Sequence, residues 1–104
     1  MARVVISPLA RREIIKVLKY TTEHWGKTQA REYRQMIKDA LVTVASNPRS
    51  GRSRNGVRRG VLAYHISQAG RPARHILFYR IASRGIVEIL RFLHDAMDFD
   101  RHLP

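Results

Sequence analysis

The sequence contains no cysteine, which excludes disulfide staples, thiolate nucleophiles and thiolate-held metals. No apolar run approaches the ~20 residues that carry a helix across a bilayer. Met1 to Ile6 is too short for the apolar core of a signal peptide, so a cytoplasmic protein is expected. Acidic residues are scarce: eight stand against twenty lysines and arginines, and the formal net charge is +12. None lies between Asp39 and Glu88, where Arg49, Arg52, Arg54, Arg58, Arg59, Arg71, Arg74, Arg80 and Arg84 all fall. Lysine is nearly missing as well. No lysine follows Lys38, and the arginine fork grips carboxylate or phosphate through two parallel hydrogen bonds, which a lysine cannot do. Such a half-molecule meets an anion, whether nucleic acid, phosphate or acidic protein. With 104 residues the chain supports one modest core, so residues 1–104 read as a single domain.

The residues that are present punctuate the chain clearly. Arg3 to Ile6 is a β-branched run, read as an opening strand. Ser7-Pro8 predicts a helix start, with the serine hydroxyl as N-cap and proline at the first helical position. Ala10, Ile14, Val17, Leu18, Thr21 and Trp25 follow at helical spacing, and Gly26 is placed to end that helix in a left-handed conformation. Thr28 is a candidate cap for a second helix whose inward face reads Ala30, Tyr33, Ile37, Ala40, Leu41 and Val44. Asn47-Pro48 stops it. So short a turn makes the two helices an antiparallel hairpin. A basic loop from Pro48 to Gly56, with no apolar anchor, reads as mobile.

Three strands complete the pattern: Val61 to Ile66, Arg74 to Ile81 and Ile86 to His94. Gln68 to Pro72 and Ser83-Arg84-Gly85 are the turns, and such short connections imply antiparallel pairing. The predicted fold class is therefore α+β, β-α-α-β-β-β, with an antiparallel sheet packed on an α-helical hairpin. In the last strand Val87, Ile89 and Leu93 alternate with Leu90 and Phe92, so both faces are apolar. Such a strand wants cover on both sides, from the segment Asp95 to Pro104 or from a partner.

Site chemistry narrows by elimination. His24, His65, His75, His94 and His102 have no metal-site spacing, and no cofactor is expected. The glycines from Gly51 to Gly60 lack the strand before and helix after that a phosphate-cradling loop requires. A metal-free ribonuclease needs a base, an acid and cations, for which His94, Arg80, Arg91, Tyr64 and Tyr79 are the available groups. Each also has a structural reading. Tyr64 and Tyr79 fit half-buried strand positions. Arg91, inside an apolar strand, requires a counter-charge, for which Glu88, Asp95 and Asp98 are the nearby choices. His94 stands open between a structural and a functional role.

The ordered set Trp25-Gly26, Gln29-Ala30, Tyr33, Asn47-Pro48 and Gly51 continues with His75-Ile-Leu-Phe-Tyr-Arg80 and Ile89-Leu-Arg91-Phe-Leu-His94. It ends at Met97-Asp98 and Arg101-His102-Leu103. Over nearly the whole chain this resembles the RelE/ParE toxin superfamily of bacterial toxin–antitoxin modules, and within it the ParE branch. The resemblance implies the RelE/ParE-like fold and a toxin, of the kind tied to plasmid maintenance, that inhibits DNA gyrase without being an enzyme. It also implies neutralisation by a ParD-like antitoxin in a complex with at least two copies of each chain. Neither membrane association nor sequence-specific DNA binding by this chain is implied.

The alternative within the superfamily is a ribosome-dependent mRNA interferase, a RelE-like endoribonuclease. Against it, Ile76 stands where those ribonucleases have a basic residue, and Asp98 to His102 offers no late tyrosine. On the resemblance, Arg91, His94, Asp98, Arg101 and His102 are the candidate target-binding residues. Ile14, Leu18, Trp25, Tyr33, Ile37, Leu90 and Phe92 are the candidate antitoxin-binding residues, because the hairpin and the sheet expose apolar area for a partner.

Overall fold

The computed structural model describes residues 1–53, 59–68, 71–83 and 85–96. Strand β1 (Arg3–Ile6) leads into α1 (Pro8–Trp25) and α2 (Lys27–Ser46). Then follow β2 (Arg52–Ser53), β3 (Leu62–Gln68), β4 (Arg71–Ser83) and β5 (Ile86–His94). The five strands form one sheet in the order β1-β5-β4-β3-β2.

The helical hairpin forms as its sequence directs, with one substitution of parts. Ser7 accepts the Ala10 amide at 3.0 Å and Pro8 occupies the first turn of α1. Thr28 does not cap α2, and no side chain does. Gly26 ends one helix and begins the next: its N–H donates to Thr22 O, and its carbonyl accepts from Ala30. Its φ of +90° is the expected sign, but ψ of 170° is extended rather than left-handed helical, a conformation open essentially to glycine alone. Asn47 closes α2 as anticipated.

The sheet departs from the expected all-antiparallel arrangement. β1 pairs with β5 in parallel, Arg3 opposite Ile86 and Ile6 opposite Ile89. Parallel pairing needs a long crossover, which the helices and three intervening strands supply. Arg52 and Ser53, assigned from sequence to an unanchored loop, pair instead with Ala63 and Leu62 as β2. The loop expected to be mobile from Pro48 to Gly56 is instead anchored through Pro48, Gly51, Arg52 and Ser53, and its residues 54–56 lie outside the described residues.

β5 also breaks strict alternation. Phe78 pairs with Arg91 but Tyr79 pairs with Ile89, so Leu90 is an extra, bulged residue. The start of α1 receives the irregularity. Ser7 Oγ donates to Leu90 O at 3.0 Å, and the Phe92 N–H donates to Glu13 Oε1 at 3.0 Å. The bulge shifts the phase, so the faces divide differently from the simple reading. Val87, Ile89 and Phe92 join Ile37, Ala40, Val44, Leu77 and Tyr79 in the core beneath the helices. Leu93 turns to the other face with Val61, Ala63, Ile76 and Phe78, and Leu90 packs against that second cluster. The cover expected from Asp95 to Pro104 falls mostly on residues 97–104, outside the described residues.

Candidate functional site

An open groove of about 860 Å³ lies where the hairpin meets the start of β4 and the end of β5. Tyr20 and Trp25 of α1 and Tyr33 of α2 wall it, with His75 and His94 from paired positions on the two strands. Lys16 and Arg74 supply charge, and among the described residues no carboxylate lines it. Helical spacing sets Lys16, Val17, Tyr20 and Thr21 along one side of α1, and Trp25 stands at its C-terminal end. Tyr20 stacks on His24 one turn later, the ring centroids 3.9 Å apart. Trp25 is 71% exposed, a large apolar ring in water with nothing over it.

The groove floor is a chain of aromatic groups. Tyr33 Oη is 2.5 Å from His75 Nδ1, and His75 stacks on the buried Phe92 with its ring centroid 4.9 Å away. Burial first, then the neighbouring His94, lowers the His75 pKa from 6.5 to about 4. Burial likewise raises the Tyr33 phenol to about 12. At neutral pH His75 is therefore unprotonated and Tyr33 protonated, and each is far from the range that serves acid–base catalysis.

Asp95 organises the rim. Its N–H donates to Arg74 O at 2.8 Å, extending the β4–β5 ladder by one step. Arg74 reaches its Oδ1 at 3.2 Å, His94 Nδ1 lies 3.5 Å from the same oxygen, and His65 Nε2 lies 3.6 Å from Oδ2. His94 Nδ1 accepts the Ala96 N–H at 3.1 Å, which assigns the ring proton to Nε2 in the neutral form. Among the described residues no cluster of histidine and carboxylate side chains is arranged to hold a metal ion.

The sequence-derived site residues scatter across this frame. His94 lines the groove. Arg91 does not: its guanidinium is gripped by Glu13 rather than by Glu88 or Asp95, two of the local acids the sequence suggested. Asp98, Arg101 and His102 lie outside the described residues. Of the apolar candidates, Trp25 and Tyr33 belong to the groove, and Ile14 and Leu18 pack half-buried against the core. Ile37 and Phe92 are themselves core, so neither presents a surface. Leu90 sits on the opposite face. Sequence reasoning missed Lys16, Tyr20, Gln29, Arg74 and His75 as members of the groove. The available signal was the antiparallel register, which sets His75 opposite His94.

A two-helix hairpin thus lies over a mixed sheet, with an aromatic groove open on one side of a small, strongly cationic chain. Residues 4–99 match the family described as "ParE toxin of type II toxin-antitoxin system, parDE", and the chain belongs to that family. It is 35% identical over 102 residues to Toxin ParE1 of Mycobacterium tuberculosis, covering 98% of both chains. It is 30% identical over 98 residues to Toxin ParE1 of Caulobacter vibrioides, covering 94% of both. Among solved structures it resembles "Chromosomal ParDE TA system from P. aeruginosa", with a TM-score of 0.72 and 15% identity. That match spans 90% of this chain and 96% of the other, and bears on the fold alone.

Proposed function

We propose that this ParE-family toxin works by binding rather than by catalysis. Its target is DNA gyrase, and an acidic ParD-like antitoxin neutralises it in a complex holding at least two copies of each chain. The observation that supports the non-catalytic reading is the pairing of His75 with Tyr33: two of the groove's titratable side chains are tied to each other and displaced in opposite directions from neutrality. Ile76 adds to it. Where the RelE-type ribonucleases resemble one another in a basic residue, this chain buries an apolar one in the second cluster.

The groove is the face we assign to the antitoxin. Trp25 and Tyr20 offer exposed aromatic area, and Lys16 and Arg74 offer charges complementary to an acidic, apolar segment. The field of the whole chain would steer such a partner inward. Work inside the cytoplasm accords with both proposed partners.

The test pairs two assays on the purified toxin. Gyrase supercoiling and DNA cleavage are followed with toxin added, and primer extension is run on translating ribosomes. Blocked supercoiling or trapped cleaved DNA, with intact messenger RNA, supports the proposal. Codon-specific cuts with untouched gyrase would replace it by the interferase reading.

A further inference from the structure

At the other end of the sheet from the groove lies a cleft of about 400 Å³. Arg49 and Arg59 flank it, Ser53 contributes a hydroxyl, and Val61, Leu62 and Ile81 form an apolar wall. No carboxylate lines it. Glu88, the acid borne by the neighbouring strand β5, is held by Arg80 at 2.7 Å. Among the described residues neither Arg49 nor Arg59 has an ion-pair partner.

The backbone on either side of Arg49 is held by a buried clamp. Tyr79 is fully buried, and its hydroxyl donates to Pro48 O at 2.8 Å while accepting the Gly51 N–H at 2.9 Å. Arg49 sits between those two anchors. One step on, Arg52 and Ser53 pair with β3. Alternation points Arg52 toward the opposite side, beside Tyr64 and His65, and Ser53 into the cleft. Side-chain entropy aside, the backbone that carries Arg49 and Ser53 is fixed before any ligand arrives, which favours a built anion site over a diffuse patch.

We propose that this cleft binds the phosphate backbone of double-stranded DNA without reading its sequence. Two guanidiniums and a hydroxyl suit phosphate oxygens. Among the described residues no aromatic ring lines the cleft, whereas single-stranded nucleic acids are bound by stacking their bases on such rings. Recognition of an RNA duplex adds contacts to 2′-hydroxyls across a wide minor groove, and the cleft has few polar groups besides its cations to make them. Arg74 in the groove and Ile81 in the cleft lie seven residues apart along β4, roughly 23 Å at strand spacing. DNA at one end therefore leaves the other free for a protein. The inference does not depend on gyrase being the target.

The experiment is fluorescence anisotropy of the full-length toxin with a labelled duplex of mixed sequence across a salt series. Binding should weaken linearly in log affinity against log salt. Arg49→Gln combined with Arg59→Gln should lower that slope by about 1.8, at ~0.9 for each phosphate contact removed. Arg34→Gln with Lys38→Gln, which removes equal charge from exposed positions of α2 outside the cleft, should leave the slope in place. Tyr79→Phe keeps every charge but frees the clamp, and should weaken binding. An unchanged slope in the cleft variant would overturn the proposal, as would an equal fall in the α2 control. Tighter binding to single-stranded DNA or to an RNA duplex would overturn it too.

Discussion

Glu13 and Arg91 stand 78 residues apart in the chain and meet in a forked ion pair. Arg91 Nη2 lies 2.7 Å from Glu13 Oε2, and Arg91 Nε lies 3.1 Å from each carboxylate oxygen. The same carboxylate takes the Phe92 N–H beside the bulge. One side chain thus fastens α1 to the irregular part of β5, and both partners are mostly buried, with side-chain exposures of 13% and 17%. Glu13→Gln or Arg91→Ala is expected to lower the unfolding free energy by about 2–4 kcal/mol, because each leaves a desolvated charge or donor alone. Urea denaturation measures this. Replacing both by apolar residues of similar size should recover part of the loss, but not all, since the Phe92 amide still lacks an acceptor.

Gly51 and Tyr79 make a second coupled pair. A Cβ at position 51 would lie 2.5 Å from the Tyr79 hydroxyl and 3.0 Å from Ala63 O. Gly51→Ala should therefore destabilise by about 1–3 kcal/mol through overpacking. Tyr79→Phe should cost about 1–3 kcal/mol by stranding Pro48 O and the Gly51 amide. The double variant should lose less than the sum, because phenylalanine removes the oxygen against which the new methyl collides. Thermal or urea unfolding of all four proteins gives the coupling directly.

His75 makes stability depend on pH. Its folded pKa of about 4 lies below the unfolded 6.5, so the unfolded chain binds the extra proton first. Its stabilising contribution is complete above about 6.5 and is lost as pH falls toward about 4. Urea midpoints should drop across that window. His75→Phe preserves the stack on Phe92, gives up the contact to Tyr33, and should flatten the profile there.

Trp25 is the groove residue whose removal best separates binding from folding. At 71% exposed it contributes little to the core. Trp25→Ala should leave the melting temperature within about 2–4 °C, a surface-scale effect, while weakening antitoxin binding at least tenfold, the scale of an aromatic anchor. Calorimetry against the antitoxin reads both the affinity and, by the residual heat, whether the groove was the face engaged.

Reading from sequence reached the elements whose cause is local. Ser7-Pro8 and Asn47-Pro48 bound the hairpin because their chemistry acts on adjacent backbone, and β5 runs from Ile86 to His94 as its β-branched run implies. Where a distant group decides, the pattern was silent. An apolar strand of four residues looks the same whether it pairs parallel or antiparallel, so β1 gave no sign of its partner's sense. The bulge at Leu90 exists because Ser7 and Glu13, from the other end of the chain, satisfy what it leaves open. Arg91 was matched with acids near in sequence for want of that same knowledge. Thr28 is a sound cap by type, yet Gly26 starts the helix two residues too early for it to serve. The candidate site fared likewise. His94, Trp25 and Tyr33 were visible as residue types, but the groove they share with Lys16, Tyr20, Arg74 and His75 emerges only from register and packing.

The parallel pairing of Arg3 with Ile86 has a consequence for how the toxin is made. β1 precedes every other described strand in the chain, and its partner in the sheet, β5, follows them all. Synthesis at ~5–20 residues per second separates the two by roughly 4–16 s. During that interval β1 has no strand to join, and the bulge that receives Ser7 and Glu13 does not yet exist. Closure over so long a loop is also slow and entropically uphill until the last strand arrives. A ribosome that has not yet completed β5 therefore carries a chain whose sheet is unfinished and whose groove lacks its β5 wall.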